Sequence, residues 1–323
     1  RKLLLFITLI LSFSSIDSHA QTGPGGVGNS STNRLWLKAD TGVFRDAGIT
    51  PASNGNTVRR WNDFSGNNNH ANQATETYKP VFRTGIINNE PALEFNGTKF
   101  IDPASLGIPG TGGFSYLIVF KVNPGYDAGS INSSNGDFII DRYPETDELA
   151  SLKIVNSNRY GFQKRTDWGS GLGGPISVNP VNTSAFTLLG YMRERGVAYR
   201  LFVNGAQESN LGDSDGNITP PSPRIGRHYD EPNNGLNGYI SELLIYNYRL
   251  NNAQLNIINS YLASKYGLTI SNDRYSFDAT HKNEVAGIGR ENSSHQHSEA
   301  TSGNILNISN PSSGITNTKS TSI

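Results

Sequence analysis

The stretch GYISELLIY, residues 238–246, decides the fold. It is a run of aliphatic and aromatic side chains behind a glycine, a composition that predicts a β-strand. A helix signal follows shortly afterwards, because Asn251 is a suitable N-cap and Gln254 completes the spacing of a capping box. Apolar side chains then recur at helical spacing, as Leu255, Ile258, Leu262 and Tyr266. Gly267 supplies the left-handed stop, so we predict one helix that covers an end or edge of a sheet.

Upstream of this unit, many short strand-like stretches are separated by turn residues. They lie at 34–39, 57–61, 92–95, 114–122, 137–141, 150–155, 159–163, 186–193, 198–203 and 224–226. The pair Asn204-Gly205 follows one of them directly and predicts a hairpin with a type I′ turn. Many short strands separated by turn residues are typical of a sandwich or barrel, so the sequence predicts an all-β fold.

Composition agrees with this fold and excludes several functions. The chain has 323 residues, with 27 basic and 27 acidic side chains and no cysteine. A nucleic-acid-binding protein needs a basic footprint, which a balanced charge does not supply. The lack of cysteine excludes disulfides, thiolate zinc sites, iron–sulfur clusters and cysteine nucleophiles. The 35 glycines suit turns and long polar loops.

The first twenty residues have the pattern of a secretory signal peptide. Arg1-Lys2 forms a positive start, residues 3–11 are an unbroken apolar run, and Ser18-His19-Ala20 places small residues before Gln21. The apolar run is too short to span a bilayer. We predict a signal peptide at 1–20, a linker without core residues at 21–33, and no transmembrane segment in the mature chain.

The sequence pattern changes after residue 270, where strand-like stretches become short and weak. Residues 275–277, 285–289 and 305–308 resemble strands, and the chain then continues in Ser-, Thr- and Asn-rich sequence. Three weak strands do not form a good core alone. We predict one main domain at 34–270 and the truncated start of a second β domain at 271–323. The alternative is a strand extension of the first domain.

Four motif matches lack the context that their chemistry requires. Gly212–Gly216 matches a nucleophile elbow, but Pro220 and Pro221 prevent the helix that should follow. Gly169–Gly174 matches a phosphate-binding loop but also runs into proline. His295, His297 and Glu299 alternate like metal ligands within a polar run that we predict to be a solvated loop. Glu145 and Asp147 lack the third carboxylate of a sandwich glucanase.

A set of separate segments resembles a known family. These segments are LWLKADTGV at 35–43, WNDFSGNNNHA at 61–71, PALEFNG at 91–97, RIG at 224–226 and GYISELLIYN at 238–247 with the helix to Gly267. Together they resemble the laminin-G-like, concanavalin A-type jelly-roll domains of bacterial surface proteins. The resemblance implies two antiparallel sheets packed face to face, with a helix after the last strand. The sequence VAGIGRE at 285–291 resembles an uncharacterised domain that follows such modules in Bacteroidetes-type proteins exported by a type IX route.

The resemblance also implies a structural calcium ion. Laminin-G-like sandwiches often hold Ca²⁺ between an early loop and the last strand. The matching carboxylates are Asp63 and Glu242, and Asn67 and Asn69 could add oxygens. Many relatives carry a second acidic residue where this chain has Ser241. The alternative is that Asp63 accepts hydrogen bonds from its own loop as an Asx turn.

Candidate glycan-binding residues combine an aromatic ring with polar neighbours in a loop. Trp168 with Asp167 and Arg165 is one such set, and Tyr229 with Asp230 is another. Surface packing is the alternative for both aromatic residues. Trp36 and Trp61 are expected in the core.

The sequence therefore predicts a non-catalytic recognition or adhesion module of a bacterial surface protein, secreted or on the outer surface of a Gram-negative cell. Its expected partner is an extracellular glycan or protein ligand, with no nucleic acid and with Ca²⁺ as a possible structural ion. The alternatives are a glycan hydrolase or lyase of the same fold and a structural spacer in a multidomain adhesin. Inward-facing carboxylates about 5–10 Å apart in a cleft would favour the enzyme.

Overall fold

The computed structural model describes residues 23–142, 149–165, 173–218, 223–278, 280–282, 285–302 and 306–309. The predicted signal peptide at 1–20 lies outside these ranges and stays a prediction. The described residues contain no helix with both the length and the hydropathy needed to cross a bilayer.

The described chain is built from β-strands and one α-helix. The strands up to the helix are β1 (Asn33–Lys38), β2 (Val43–Phe44), β3 (Arg60–Trp61), β4 (Ala71–Asn72), β5 (Val81–Ile87), β6 (Glu90–Asn96), β7 (Phe114–Val122), β8 (Phe138–Arg142), β9 (Leu149–Val155), β10 (Arg159–Arg165), β11 (Ile176–Pro180), β12 (Thr187–Glu194), β13 (Ala198–Val203), β14 (Ala206–Gly212), β15 (Pro223–Ile225) and β16 (Asn237–Tyr246). The helix α1 (Asn252–Tyr266) is followed by β17 (Gly289–Arg290), β18 (Gln296–His297), β19 (Glu299–Ser302) and β20 (Leu306–Ser309).

Two antiparallel sheets form the sandwich. The larger has eight strands in the order β14-β13-β12-β7-β16-β6-β5, with β1 also paired to β16. The smaller has five strands in the order β11-β10-β9-β8-β15. Because β16 pairs with β7 on one side, and with both β6 and β1 on the other, the stretch at 238–246 is the centre of the larger sheet. The prediction of an all-β sandwich is confirmed.

The inner core lies between the two sheets. Side chains on one face of each strand point into it, including Ile118 and Phe120 from β7, Leu243 from β16, and Leu152 from β9. The period-two alternation of a strand puts their neighbours on the opposite face. Trp61 is fully buried in this core, as the sequence predicts.

The helix covers the outer face of the larger sheet. Leu117 and Val119 of β7 and Leu244 of β16 form a second core with helix residues that include Ile258 and Leu262. The prediction that the helix covers an end or edge is therefore wrong. An apolar stripe shows that a helix packs on a sheet, but the sequence of the helix does not say on which part of it.

Local signals at the turns are confirmed. The Asn251 side chain accepts from the backbone N–H of Gln254, the Gln254 side chain accepts from the Asn251 N–H, and Gly267 has a φ of 62°. Asn204 and Gly205 both have positive φ, 46° and 77°, between β13 and β14. This is the backbone that a type I′ turn requires.

Segments at both ends of the domain pack on the helix side. Val27, within the predicted linker, is fully buried in the outer core, and Tyr246 Oη donates to its carbonyl (3.2 Å). This residue differs from the expectation of a lead-in without core residues. Beyond the helix, β17–β18 and β19–β20 form separate two-stranded sheets. Residues 275–277, predicted as a strand, are not one.

Candidate functional site

The outer face of the smaller sheet is lined by polar side chains, which is the reverse of the outer face of the larger sheet. Alternation from Leu152, Phe162 and Ile225 in the inner core places the polar neighbours outward. We call this surface the polar face; its residues are Asp141, Ser151, Lys153, Gln163, Arg224 and the adjacent His228. All six are buried. Polar groups are costly to bury without partners, so six buried polar side chains on one face indicate specific hydrogen bonds and ion pairs.

Asp141 lies at the centre of the polar face. Its Oδ1 accepts from Ser151 Oγ (2.6 Å), and its Oδ2 accepts from the backbone N–H of Tyr229 (2.9 Å). His228 Nε2 lies 3.7 Å from Oδ2. The Nδ1 atom of His228 accepts from the N–H groups of Asp230 and Glu231, so this nitrogen carries no proton. A central carboxylate therefore fixes the loop that follows β15.

These three residue types do not form a nucleophilic triad. In a Ser–His–Asp triad the histidine lies between the other two and removes the serine proton. Here the carboxylate of Asp141 lies between Ser151 and His228. The arrangement orders hydrogen-bonding groups on a surface and does not activate Ser151 by that route.

Lys153 and Gln163 bind a loop that crosses the polar face. Lys153 Nζ donates to the carbonyls of Ser130 (3.1 Å), Ser133 (2.8 Å) and Asn135, and lies 4.6 Å from the ring centre of Phe138. Gln163 Nε2 donates to the carbonyls of Ile131 (2.7 Å) and Ser133 (2.8 Å). Burial lowers the pKa of Lys153 to about 8. We call the connection between β7 and β8, residues 123–137, the strap.

Arg224 anchors one edge of the polar face. Its Nε and Nη2 atoms donate to the two oxygens of Asp102 (3.0 and 2.9 Å), and its guanidinium lies 3.9 Å from the ring centre of Phe100. Arg227 lies 4.2 Å from the same ring. Burial and the neighbouring Arg224 lower the pKa of Arg227. This edge thus carries two guanidinium groups and one carboxylate, and Arg224 pairs with that carboxylate.

The predicted glycan-binding residues divide between this surface and undescribed sequence. Tyr229 is half-buried at the rim of the polar face, beside the exposed Asp230. The Tyr229 carbonyl accepts from Arg224 Nη1 (2.8 Å), and its ring lies 4.8 Å from that of His228. Arg165 is the last residue of β10, but its side chain is not described. Asp167 and Trp168 lie outside the described residues.

The four residues predicted to bind calcium lie on two sides of β1. Asp63 Oδ1 accepts from the N–H groups of Trp36 and Ser65 (both 2.9 Å). Its Oδ2 accepts from Ser65 Oγ (2.8 Å) and from the N–H of Asn69 (2.9 Å). The amides of Asn67 and Asn69 donate to the carbonyls of Asn33 (2.8 Å) and Arg34 (2.9 Å). These contacts are those of an Asx turn that fastens the 63–69 loop to β1.

Glu242 binds the helix and not this loop. Its Oε1 accepts from Trp36 Nε1 (2.8 Å), and its Oε2 accepts from Lys265 Nζ (2.8 Å) and Tyr266 Oη (2.7 Å). Lys265 Nζ also lies 3.0 Å from Asp40 Oδ2. Burial by itself would lower the pKa of Lys265. The Glu242 and Asp40 carboxylates outweigh it, so the pKa lies above its ordinary value. The carboxylate is thus paired within the protein.

These contacts do not suit Ca²⁺, which needs several oxygens that are free to converge on one point. The oxygens of Asp63 and Glu242 already accept from protein donors, and the described residues contain no group of three or more His, Asp or Glu side chains that could hold a metal. Calcium binding stays a prediction.

Two motifs that lacked a fitting context have structural contacts. Asp213 is fully paired with buried Arg193, whose Nε donates to Asp213 Oδ2 (2.8 Å). His297 is buried in β18, and that burial lowers its pKa. The prediction of a solvated loop is therefore wrong for His297, because pairing of β18 with β17 holds it in place.

Comparison with known proteins gives similarity of fold. No protein-family model matches the sequence, and no curated protein matches it. The binding domain of botulinum neurotoxin serotype D matches with a TM-score of 0.51 at 15% identity, over 73% of this chain and 52% of that one. The binding domain of Paraclostridial Mosquitocidal Protein 1 matches with a TM-score of 0.51 at 11% identity, over 72% and 53%.

A third solved structure matches over nearly its whole length. Domain 4 of AbnA, a GH43 extracellular arabinanase from Geobacillus stearothermophilus, in complex with arabinotriose, gives a TM-score of 0.46 at 15% identity, over 70% of this chain and 98% of that one. This chain thus spans about half of the two toxin domains and almost all of the arabinanase domain. At these identities the likeness concerns the fold.

The sequence indicates Tyr229 and Asp230 at the rim as candidates but does not indicate the residues of the polar face itself. One signal was present, because Ser151 and Lys153 alternate with Ala150, Leu152 and Ile154 in β9. Such alternation is also that of any solvated strand. The hydrogen bonds from Lys153 and Gln163 to the strap join residues 18–32 positions apart, so no local pattern reveals them.

Proposed function

We propose that this chain is a non-catalytic glycan-recognition domain whose ligand engages the polar face and its rim at Tyr229. The observation that carries the proposal is the row of hydrogen-bonding side chains across neighbouring strands of the smaller sheet, with an aromatic ring beside it. The other outer face is apolar and sealed by the helix.

The residue types on this face suit a carbohydrate. Sugar hydroxyls both donate and accept, so they pair with carboxylates, amides, hydroxyls and cationic groups arranged on a rigid surface. A tyrosine ring adds an apolar platform for the C–H face of a sugar and a hydroxyl at its edge. Gln163 and Tyr229 supply one amide and one ring at the same surface, and Asp141 holds the loop that carries Tyr229.

We infer the biological setting from the sequence. The signal-peptide pattern at 1–20 supports export, and the motifs at 61–71 and 238–247 support a laminin-G-like jelly roll on a Gram-negative surface protein with type IX export. In that setting the domain acts as an adhesion or recognition module. A second β domain from residue 271 accompanies it.

A glycan array tests this function. We expect the wild-type protein to bind a subset of glycans, and Tyr229→Ala and Trp168→Ala each to weaken that binding at least fivefold, since stacking on one ring contributes about 1 kcal/mol or more. The matched control is Tyr275→Ala, a half-buried tyrosine beyond the helix. The proposal would be contradicted if the wild type bound no glycan on the array, or if all three variants bound equally well.

A separate experiment tests calcium. If the ion binds at Asp63, EDTA should lower the melting temperature of the wild type, and Asp63→Asn should abolish the difference. Equal melting with EDTA and with millimolar Ca²⁺ would contradict calcium binding and agree with the Asx-turn contacts of Asp63.

A further inference from the structure

We propose that the tip of the strap, residues 130–135, is an autoinhibitory segment that occupies the place of the ligand on the polar face and must leave when a glycan binds. This inference rests on the proposed function, because it assigns the polar face as the surface that the strap masks. It adds a regulated step to recognition.

The first argument is which groups the strap uses. Five hydrogen bonds run from two side chains of the sheet, Lys153 and Gln163, to backbone carbonyls of the tip. A carbonyl oxygen and a sugar hydroxyl are both acceptors for an ammonium or an amide N–H. The tip therefore satisfies the donors that a glycan would otherwise satisfy.

The second argument is how differently the base and the tip are held. At the base, Gly129 N–H donates to the Ile154 carbonyl (3.2 Å), Asn156 N–H donates to the Gly129 carbonyl (2.8 Å), and Asp137 N–H donates to the Asp127 carbonyl (2.9 Å). Tyr126 and Ala128 also pack against the inner core. The base is thus fixed to the sandwich by backbone and apolar contacts.

The tip depends mainly on polar contacts. Apart from the bonds of Lys153 and Gln163, Asn234 Nδ2 donates to the Ser134 carbonyl (3.1 Å), and Ile131 lies over Gly161. Asn132, Ser134 and Asn135 are exposed. A segment with few buried apolar contacts opens at low free-energy cost, so a competing acceptor can replace it.

Hydrogen exchange of the wild-type protein tests displacement without any mutation. The probes are arabinotriose, a neutral oligosaccharide, and α2,3-sialyllactose, an acidic one, each at saturating concentration if it binds. We expect the bound probe to speed amide exchange in residues 130–135 at least threefold while leaving the base unchanged. Slower exchange in the tip would overturn the proposal, because it would mean that the strap closes over its ligand.

Two variants test masking directly. Lys153→Met and Gln163→Leu keep side-chain volume but remove the donors to the strap, and Lys99→Met is the control because Lys99 donates to a backbone carbonyl elsewhere, that of Lys79. Both variants should speed exchange in 130–135 at least threefold. A third variant, Asn234→Ala, removes the bond to the Ser134 carbonyl but leaves the donors of Lys153 and Gln163 for the probe, so release of the strap should lower the Kd of the probe at least threefold. Gln163→Leu alone suffices if Lys153→Met does not fold.

The outcomes separate the two proposals. If the wild type binds a probe and Asn234→Ala binds it no more tightly although its strap exchanges faster, the masking role is overturned while the proposed function stands. If the strap exchanges faster in the variants and no glycan binds to any of them, the proposed function fails and the masking role with it. Unchanged exchange in both folded variants would show that these donors do not hold the strap.

Discussion

Glu242 shows what a single residue does in the centre of the larger sheet. It lies on β16, the strand that pairs with three others, and it is fully buried. Its carboxylate joins Trp36 of β1 to Lys265 and Tyr266 of the helix. One side chain therefore ties a strand to the helix that covers it.

Replacing Glu242 with Gln should destabilise the protein by about 2–4 kcal/mol, because it removes one charge of a buried ion pair and leaves the Lys265 ammonium with Asp40. Urea unfolding measures this difference. Glu299→Gln, at an exposed position, is the control and should change the free energy of unfolding by less than about 0.5 kcal/mol. Equal stability of both variants would contradict the role of Glu242.

Asp137 should make stability depend on pH. Burial raises the pKa of its carboxyl to about 7, above the value of an unfolded chain. The folded state therefore holds a proton that the unfolded state has lost, so this group's contribution to stability falls as pH rises from about 4 to about 7. We expect Asp137→Asn to match the wild type near pH 4 and to exceed it at pH 8 by about 1–3 kcal/mol.

Chemical denaturation at several pH values checks this prediction. Asp127→Asn is the companion variant, because the nearby Asp127 contributes to the raised pKa of Asp137. It should reduce the pH dependence without abolishing it. A wild type and an Asp137→Asn variant with parallel pH profiles would contradict the assignment.

At the scale of an element, the helix begins and ends where its own sequence dictates. The Asn251 cap satisfies the N–H of Gln254 (3.0 Å). Asn251→Ala should therefore cost about 1 kcal/mol, whereas Asn256→Ala in the second turn of the helix, which removes an exposed bond to Glu291, should change stability by less than about half of that. Thermal melting of the two variants compares them, and an equal loss would contradict a specific capping effect.

The strap is the opposite kind of element, since its place is set by residues of the sheet beneath it. Lys153 and Gln163 belong to β9 and β10, and the acceptors belong to the β7–β8 connection. A loop whose contacts are mostly polar can exchange one set of acceptors for another. Under our proposal, the polar face is therefore both preformed and covered.

At the scale of the whole molecule, the two cores share their strands. β7, β12 and β16 send alternate side chains to the inner and the outer core, such as Ile118 and Leu117. Loss of one core therefore removes the packing of the strands that build the other. We expect the sandwich and the helix to unfold together.

Ile258→Ala in the helix and Leu152→Ala in β9 test this coupling, since one residue lies in the outer core and the other in the inner core. Each should destabilise the protein by about 2–4 kcal/mol and keep a single transition. Far-ultraviolet circular dichroism and tryptophan fluorescence should give the same midpoint for each variant. Two separate transitions in Ile258→Ala would mean that the helix unfolds independently.

Much of the fold could be predicted from the sequence. The signals that predict it are local. They are the alternation of apolar side chains, the Asn204-Gly205 turn, and the helix start and stop at Asn251, Gln254 and Gly267. Each acts within a few residues, so its physical cause is present in the sequence. They determined an all-β sandwich with one late helix. The candidates Tyr229 and Asp230 also come from a local pattern, an aromatic residue beside a carboxylate, and their role in binding stays a prediction.

Only the tertiary structure decided which face the helix covers, which donors satisfy Asp63 and Glu242, and which side chains make up the polar face. Each of these depends on pairs such as Trp36 with Glu242 or Lys153 with Asn135, which are far apart in sequence. Hydrogen bonds and burial are set by distance in space, and a linear pattern does not contain that distance until the sheets are assembled.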